Sequence, residues 1–281
     1  MSGWNAALSS IRDTQIGTTG KKALVVEGTG DKVFFEAMLD KKARGAWDAE
    51  WCVGEANKKG HVREIIKEQP SWLGIVDCDE WSDTEAKAEI RKPEYGGRLH
   101  ILPRYCMESY FITPDDIWSA LPPLPKEHIN KTIGEIAFRG EIAEATALDA
   151  WLRHGVLWHA VFPLWKGLRD LGFNKALLGD YKIAQDDALI KSKLEEWHDY
   201  IEPVKTMSNF HALLASAKSE SLEQRLARWI HGKYYFRQHV TPVLNKCFPK
   251  QSADAEGWIR VLLKYRPLPP DLDPVWMAMG L

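Results

Sequence analysis

The sequence predicts a mixed α/β fold, in which a parallel β-sheet flanked by helices is followed by an all-helical C-terminal region. Three observations predict it. Between residues 20 and 120, short apolar runs alternate with helical patterns, as in parallel strands joined by helical crossovers. Between residues 133 and 263, helical patterns recur without a convincing strand. A proline cluster at 122–125 separates the two parts, so we expect domains at residues 1–121 and 126–281.

The elements of the first part follow from its apolar runs and the residues that interrupt them. Strands are predicted at about 22–27, 47–53, 72–77 and 98–102, and helices at about 30–42, 60–68 and 83–92. Pro70 ends the second of these helices. Ser82 and Glu85 have the spacing of a capping box, which opens the third. A further helix is expected from Cys106 onward.

The C-terminal region reads as a series of helices in which tryptophans recur at spacings suited to helix packing. These helices are predicted at about 133–153, 155–171, 186–200, 204–217, 219–231, 233–247 and 254–265. The tail after Arg266 is rich in proline and is expected to be extended.

Composition indicates a folded protein without a membrane segment. Of the 281 residues, 45% are hydrophobic and 11% aromatic, which argues against a disordered chain. The four cysteines have neither CxxC spacing nor the pattern of a disulfide framework. No secretory signal is recognisable, and no apolar run approaches the length of a membrane span. We therefore expect a cytoplasmic protein with reduced thiols.

Carboxylates follow two of the predicted strands at the point where each strand ends. Glu27 closes the first strand, and Asp31 lies in the first turn of the next helix. Asp77 and Asp79 close the third strand, and their spacing of two lets both side chains leave it on the same side. Because the carboxyl ends of parallel strands meet at one edge of a sheet, these acids are expected to converge there.

Converging carboxylates repel one another at neutral pH unless a pKa rises or a cation neutralises them. Oxygen ligands of this kind suit Mg²⁺ or Mn²⁺. The sequence therefore predicts a metal-dependent phosphodiester site, with Glu80 as an additional ligand. The residues alone leave alternatives open, since Asp31 is also a plausible helix cap and Asp77 and Asp79 could belong to an acidic loop.

Rival motifs fit the same stretches less well. Gly28-x-Gly30 lacks the third glycine of a dinucleotide-binding turn, and residues 17–22 are too short for a phosphate-binding P-loop and precede a strand. The pair Asp77-x-Asp79 also suggests a phosphatase with a covalent intermediate at Asp77. Such enzymes usually carry the pair on the first strand with Thr or Val two residues later, where this chain has Trp81.

Four stretches together resemble a known family. Residues 26–31 (Val-Glu-Gly-Thr-Gly-Asp) and 75–79 (Ile-Val-Asp-Cys-Asp) resemble the Toprim domain of topoisomerases, bacterial primases and OLD-type nucleases. Residues 105–111 (Tyr-Cys-Met-Glu-Ser-Tyr-Phe) and 229–234 (Trp-Ile-His-Gly-Lys-Tyr) resemble stand-alone OLD-like Toprim nucleases. Within that family the chain is most similar to the AriB-type effectors of PARIS anti-phage systems. The resemblance covers most of residues 20–245.

The resemblance implies a set of site residues. The catalytic residues would be Glu27, Asp77, Asp79 and Lys233, with Lys233 supplying positive charge to the scissile phosphate or the leaving oxygen. The metal ligands for Mg²⁺ or Mn²⁺ would be Glu27, Asp31, Asp77, Asp79 and Glu108. Glu108 has the alternative role of a helix cap, and Lys233 that of a solvated lysine.

Nucleic-acid contacts are expected from a basic and aromatic cluster late in the chain and from one arginine after the fourth strand. The expected contact residues are Arg104, Arg228, His231, Lys233, Tyr234 and Arg237, with Arg225 and Tyr235 in the same cluster. An amphipathic helix pair with a solvated basic face would have the same sequence pattern. Arg104 could equally pair with a neighbouring acid, and His231 could be structural.

The resemblance implies a Mg²⁺-dependent endonuclease that cleaves RNA such as tRNA as an anti-phage effector. An AriA-like ABC-type ATPase partner would hold it inactive, and the sequence itself carries no Walker motif. The alternatives are a DNA nickase or nuclease of OLD type and a Toprim-fold module that binds phosphate without cutting. The aromatic-rich helical part could also supply a homodimer face.

Overall fold

The computed structural model describes residues 3–79, 81–170 and 187–281, and a four-stranded parallel sheet lies at its centre. The strands are β1 (Lys22–Val26), β2 (Trp51–Glu55), β3 (Leu73–Val76) and β4 (Leu99–Ile101). Their order is β2-β1-β3-β4, and all three pairings are parallel. The predicted parallel sheet is confirmed. Strand β2 begins later than expected because residues Trp47–Ala49 form a 3₁₀ turn.

Four helices accompany the strands: α1 (Gly3–Ser10), α2 (Thr29–Ala43), α3 (Lys59–Glu68) and α4 (Asp83–Ile90). The last three lie close to their predicted positions. The predicted capping box of α4 is confirmed, since the Glu85 amide donates to Ser82 Oγ at 3.3 Å and the Ser82 amide donates to Glu85 Oε2 at 2.9 Å. Helices α2, α3 and α4 each follow a strand directly in the chain, so each begins at the carboxyl edge of the sheet.

Side chains of β1 alternate between two apolar cores, one on each face of the sheet. Leu24 and Val26 lie in one core, and Ala23 and Val25 lie in the other. The second core is closed by α1 and α3. Gly74 lets α3 approach closely, because a Cβ at that position would lie 2.6 Å from Cγ1 of Ile66. The first core continues into the C-terminal helices.

The C-terminal region is helical over its described residues, as predicted. Its α-helices are Pro114–Ala120, Pro123–Thr132, Glu135–Ile142, Ala145–Asp170, Asp187–Tyr200, Pro203–Ser219, Leu222–Gln224, Gly232–Tyr235, Thr241–Cys247, Ala255–Tyr265 and Asp273–Met279. Wider π-turns span Ile11–Ile16, Arg225–Trp229 and Phe236–Val240, and 3₁₀ turns span Pro93–Tyr95, Met107–Phe111, Pro249–Gln251 and Pro270–Leu272. No helix in the described ranges is long and apolar enough to cross a membrane.

The predicted boundary between helices at residue 154 is wrong. The break lies at 143–144, where the Glu144 carboxylate accepts hydrogen bonds from the amides of Thr146 and Ala147 at 2.9 and 2.7 Å. The next helix continues through Gly155, on which the Trp229 backbone packs so closely that a Cβ would lie 1.8 Å from the Trp229 carbonyl oxygen. Gly155 is therefore a packing contact. The predicted helix ends at 171 and 186 lie outside the described residues.

The prediction of an extended tail after Arg266 is also wrong, because Asp273–Met279 forms a helix. Proline is well tolerated in the first turn of a helix, so Pro274 does not prevent it. The fully buried Trp276 anchors the helix, and its ring packs against Phe35 of α2 at a centroid distance of 6.2 Å. The tail thus closes the first apolar core.

The proline cluster at 122–125 coincides with the start of the Pro123–Thr132 helix. One apolar core contains residues from both sides of that cluster, from Leu24 to Met279. The helical region therefore packs directly on one face of the sheet. The division of the chain into two domains stays a prediction.

Candidate active site

The order of the strands brings Glu27 and Asp77 together. The chain passes from β1 outward to β2 and then crosses to β3 on the other side of β1, so the connections diverge at the carboxyl ends of β1 and β3. Open α/β sheets form their ligand crevices at such points. Glu27 follows β1 and Asp77 follows β3, and Glu27 Oε1 accepts a hydrogen bond of 2.8 Å from the Asp77 amide.

Asp31 in the first turn of α2 joins this edge. Its Oδ2 accepts a hydrogen bond of 2.9 Å from the Gly28 amide, so Asp31 does cap the start of the helix. Burial, reinforced by the charges of Glu108 and Glu27, raises the pKa of Asp31 to about 7. Asp31 therefore also lies within electrostatic range of these two acids. The capping role and the site role are therefore compatible.

Asp77 lies at the centre of the acidic edge. Burial raises its pKa well above the usual value, and the charges of Asp31, Glu27, Asp79 and Glu108 each raise it further. Burial also raises the pKa of Glu27. The five carboxyl groups that the sequence singles out as metal ligands thus act on one another electrostatically, as convergence at one sheet edge requires.

The loop after β3 is fixed by its backbone. Asp79 has a left-handed conformation (φ 49°), which Asp tolerates better than most residues. Its amide donates to the Tyr105 carbonyl at 2.8 Å, and the Tyr105 amide donates to the Ala227 carbonyl at 2.7 Å. These two bonds tie the acidic loop to the loop after β4 and to the C-terminal helices.

Sequence reasoning missed Lys59, which lies among the acids. Its Nζ is 2.5 Å from Oδ2 of Asp79 and 4.6 Å from the ring centroid of Trp81. Burial lowers the pKa of Lys59, but the charges of Asp79 and Glu27 outweigh that effect and raise it above its usual value. A lysine in the first turn of a helix is unfavourable because its charge opposes the helix dipole. This unfavourable position is the feature of the sequence that could have indicated a role for Lys59 in the site.

Glu108 reaches the edge from the 3₁₀ turn Met107–Phe111, which packs against the His231–Lys233 segment. Gly232 makes the packing possible, because a Cβ there would lie 2.4 Å from Oγ of Ser109. The His-Gly-Lys motif therefore has a structural reason for its glycine. The same contact brings Lys233 toward Asp31, and the positive charge of Lys233 partly offsets the rise in the pKa of Asp31.

A cleft of about 340 Å³, which we name the cationic cleft, opens beside Glu108. It is lined by the start of α2 and by the first turns of the Ala255–Tyr265 helix. Its name refers to Lys233 and Arg237, since the acids Glu108, Asp254 and Glu256 and the further cation Arg260 also line it. Lys233 and Arg237 are exposed, and neither forms an ion pair with a carboxylate in the described part of the chain. Both are available to a phosphate that enters the cleft.

His231 begins this segment and lies among aromatic rings. Its ring centroid is 4.3 Å from Tyr234 and 4.8 Å from Tyr105. Burial lowers the pKa of His231 to about 4, although the charge of Asp79 opposes that effect. His231 is therefore neutral at pH 7, which suits stacking better than ionic contact with a phosphate.

Two of the expected contact arginines already have carboxylate partners. Arg104 pairs with Asp116 at 2.6 Å and with Asp271 at 3.3 Å, the alternative that the sequence had left open. Arg228 pairs with Asp83 and donates to the Pro103 carbonyl at 3.2 Å. Neither supports the proposed nucleic-acid contacts, and we leave both out of the site.

Tyr235 is not available for base stacking, contrary to the expectation for the basic cluster. It is fully buried, and its hydroxyl donates to the Ile142 carbonyl at 2.6 Å. Its neighbour Tyr234 is exposed. The helical turn explains the difference, because adjacent residues of a helix face different directions.

The donor chemistry of the edge fits a hard divalent ion, since all five acids offer oxygen. Their present arrangement is not yet a coordination shell: among the residues described, no three His, Cys, Asp or Glu side chains are grouped to hold an ion. Asp79 is engaged by Lys59 and Glu27 by the Asp77 amide. Ion binding therefore requires Asp79 to exchange Lys59 for the metal. Glu80 lies outside the described residues.

The raised pKa of Asp31 predicts a stability effect that is measurable without metal. The group binds its proton more tightly in the folded state, so the free energy of unfolding falls as the pH rises from about 4 to 7 and stays lowered above 7. We expect Asp31→Asn, which keeps an acceptor for Gly28, to stabilise the protein in EDTA at pH 8 by about 2 kcal/mol or more and to change little at pH 4.

Urea unfolding at both pH values measures this difference. Glu68→Gln is the matched control, because Glu68 is exposed and lies at the C-terminal end of α3, away from the carboxyl edge of the sheet. Equal stability of wild type and Asp31→Asn at pH 8 would contradict the raised pKa of Asp31.

Comparison with known proteins leaves the family open. No protein-family model, no curated protein and no solved structure matches this chain. The resemblance to Toprim nucleases therefore stays a prediction that rests on the motifs.

Proposed function

We propose that the chain is a Mg²⁺- or Mn²⁺-dependent endonuclease with a Toprim-type site formed by the acids at the carboxyl ends of β1 and β3. One observation carries the proposal. Burial and the negative charges of four other carboxylates raise the pKa of Asp77, which follows β3 at the edge of the sheet where ligands bind. Such an arrangement disfavours folding, and strongly shifted pKa values of this kind cluster at functional sites.

Asp77 would be the central ligand, with Glu27, Asp31, Asp79 and Glu108 around it. A bound ion would polarise the scissile phosphate and lower the pKa of a water molecule. Glu27 stays beside Asp77 through the Asp77 amide, and its raised pKa suits it to accept a proton from the attacking water. Lys233 would stabilise negative charge on the phosphate from the cationic cleft.

The surroundings of the acids favour a polynucleotide over a small phosphomonoester. Lys233 and Arg237 line the cationic cleft beside Glu108, and the exposed ring of Tyr234 lies on the next face of the same helical segment. We propose RNA, such as tRNA, as the substrate and an anti-phage effector role restrained by an ABC-type ATPase partner. These two points rest on the resemblance to the AriB-type effectors.

A second candidate function is a module that binds phosphate through the same edge without cutting. The ion pair between Lys59 and Asp79 favours it, because a lysine already neutralises part of the acidic charge. A DNA nickase or nuclease of OLD type is the other alternative, and it shares the metal site.

A cleavage assay tests the proposal. The protein is incubated with total RNA, supercoiled plasmid and a small phosphomonoester in Mg²⁺, Mn²⁺ or EDTA, with and without a co-expressed ATPase partner. We expect metal-dependent cleavage of RNA and no turnover of the small ester. Plasmid nicking alone would support the DNA nuclease, and turnover of the small ester would support a phosphatase. If every substrate stays intact in every condition, the nuclease proposal is wrong.

A further inference from the structure

A second cleft lies between the Ala145–Asp170 helix and the helical segment that begins at Gly232. Its volume is about 440 Å³, and it is lined by Ala150, Trp151, His154, Trp158, Tyr234 and Gln238. We name it the aromatic cleft. Trp158 and Tyr234 at its rim are 40% and 37% exposed, so these two rings are not buried in the apolar core. Both rings contact those of His154 and His231, so they belong to one partly exposed aromatic patch, and patches of this kind often mark binding sites.

His231 links the aromatic cleft to the acids. Its ring lies 4.3 Å from Tyr234 and 6.1 Å from Trp158, measured between centroids. On its other side it contacts Tyr105, whose carbonyl accepts the hydrogen bond from the Asp79 amide. Two residues, His231 and Tyr105, therefore connect the aromatic cleft to Asp79, a proposed metal ligand.

One helical segment carries both cations and one of the two exposed rings, that of Tyr234. From Gly232 the chain is helical to Cys247, with a π-turn at Phe236–Val240. Lys233 and Arg237 are four residues apart and line the cationic cleft. Tyr234 and Gln238 are also four apart and line the aromatic cleft on the adjacent face. Two rows with different chemistry therefore run side by side.

This pairing of rows suits one kind of ligand. A nucleobase has two flat apolar faces for the rings and edge atoms that an amide such as Gln238 can contact, and its phosphate follows within one sugar. In a duplex those faces are hidden in the stack. Granting the proposed nuclease, we infer that the aromatic cleft binds an unpaired nucleobase of a single-stranded nucleic acid, while its adjoining phosphates lie on Lys233 and Arg237.

The test measures binding without cleavage. Fluorescence anisotropy in EDTA compares a labelled single-stranded RNA, the single-stranded DNA of the same sequence and the corresponding RNA duplex. We expect the wild type to bind the single strands more tightly than the duplex. Tyr234→Leu should weaken single-strand binding about tenfold and leave duplex binding unchanged, since one base stack contributes about 1–3 kcal/mol.

Two further variants separate stacking from damage to the fold. Tyr234→Phe keeps the ring and should retain the affinity of the wild type. Trp165→Leu removes another exposed ring of the Ala145–Asp170 helix, 59% exposed and outside the aromatic cleft, and should have no effect. Equal loss in both leucine variants would overturn the inference, as would a wild type that binds the duplex as well as single strands or binds no nucleic acid. The comparison of single-stranded RNA with single-stranded DNA shows which of the two nucleic acids the protein prefers.

The inference rests on the proposed function, but the experiments distinguish the failure of one from the failure of the other. Ring-dependent binding of single strands without cleavage in any metal would leave the aromatic cleft standing and remove the nuclease. Metal-dependent cleavage that Tyr234→Leu leaves unchanged on single strands and duplexes alike would keep the nuclease and remove the assigned cleft.

Discussion

Asp77→Asn is expected to lower metal-dependent cleavage about a thousandfold or more. It removes the carboxylate on which the other four acids act, and with it the central oxygen ligand and one negative charge. Metal-supplied stabilisation of the transition state amounts to several kcal/mol, and each 1.36 kcal/mol changes a rate tenfold. Initial cleavage rates of the preferred substrate in Mg²⁺ provide the measurement.

Unfolding cannot explain the expected loss. Asparagine has nearly the same shape as aspartate, and removing a charge from a crowded acidic edge should make the metal-free protein more stable at pH 8. Thermal unfolding in EDTA therefore serves as the control. Residual cleavage within tenfold of the wild type would show that Asp77 is not a ligand.

Lys59→Met is expected to change metal affinity and cleavage in opposite directions. Lys59 holds Asp79 in the metal-free protein, so its removal should raise the affinity for Mn²⁺ about tenfold, which is about 1.4 kcal/mol. Once released from Asp79, the ammonium group would lie close to the scissile phosphate. Its loss should therefore lower the cleavage rate about a hundredfold even when metal saturates the site.

Mn²⁺ titration followed by electron paramagnetic resonance gives the affinity, and single-turnover cleavage at saturating metal gives the rate. Lys67→Met is the matched control, because Lys67 lies on the same helix and pairs with Glu64 and Glu94 away from the acids. A purely structural lysine would lower both quantities together, and that result would remove Lys59 from the mechanism.

The acidic edge was accessible from sequence because two local signals coincided. Apolar runs that end in Glu27 and Asp77 predict strands, and parallel strands bring their carboxyl ends to one edge whatever the details of packing. No tertiary contact was needed for that inference. The structure confirms the parallel sheet. The charges of the other four predicted acids act on Asp77, although among the described residues no three such side chains are grouped to hold an ion, so the metal site stays a prediction.

The features that sequence reasoning missed depend on distant contacts. Lys59 belongs to the site only because Asp79 and Trp81 lie opposite it, and its own segment resembles an ordinary helix start. Gly155 suggests a helix end until the Trp229 backbone that packs on it is known. The sequence alone does not distinguish the adjacent residues Tyr234 and Tyr235. Only the orientation of the helix decides that Tyr235 is buried and Tyr234 is exposed.

The central claim is that the acids at the carboxyl edge bind a divalent ion, and calorimetric titration of metal-free protein with Mn²⁺ tests it most directly. At pH 6.5 the protein should bind Mn²⁺ and release roughly one to two protons, because the pKa of Asp31 is about 7 and that of Asp77 is also raised. Comparing buffers of different ionisation enthalpy detects these protons. Asp77→Asn should abolish both the binding and the proton release. A wild type that binds no Mn²⁺, or an Asp77→Asn variant that binds it equally well, would contradict the account.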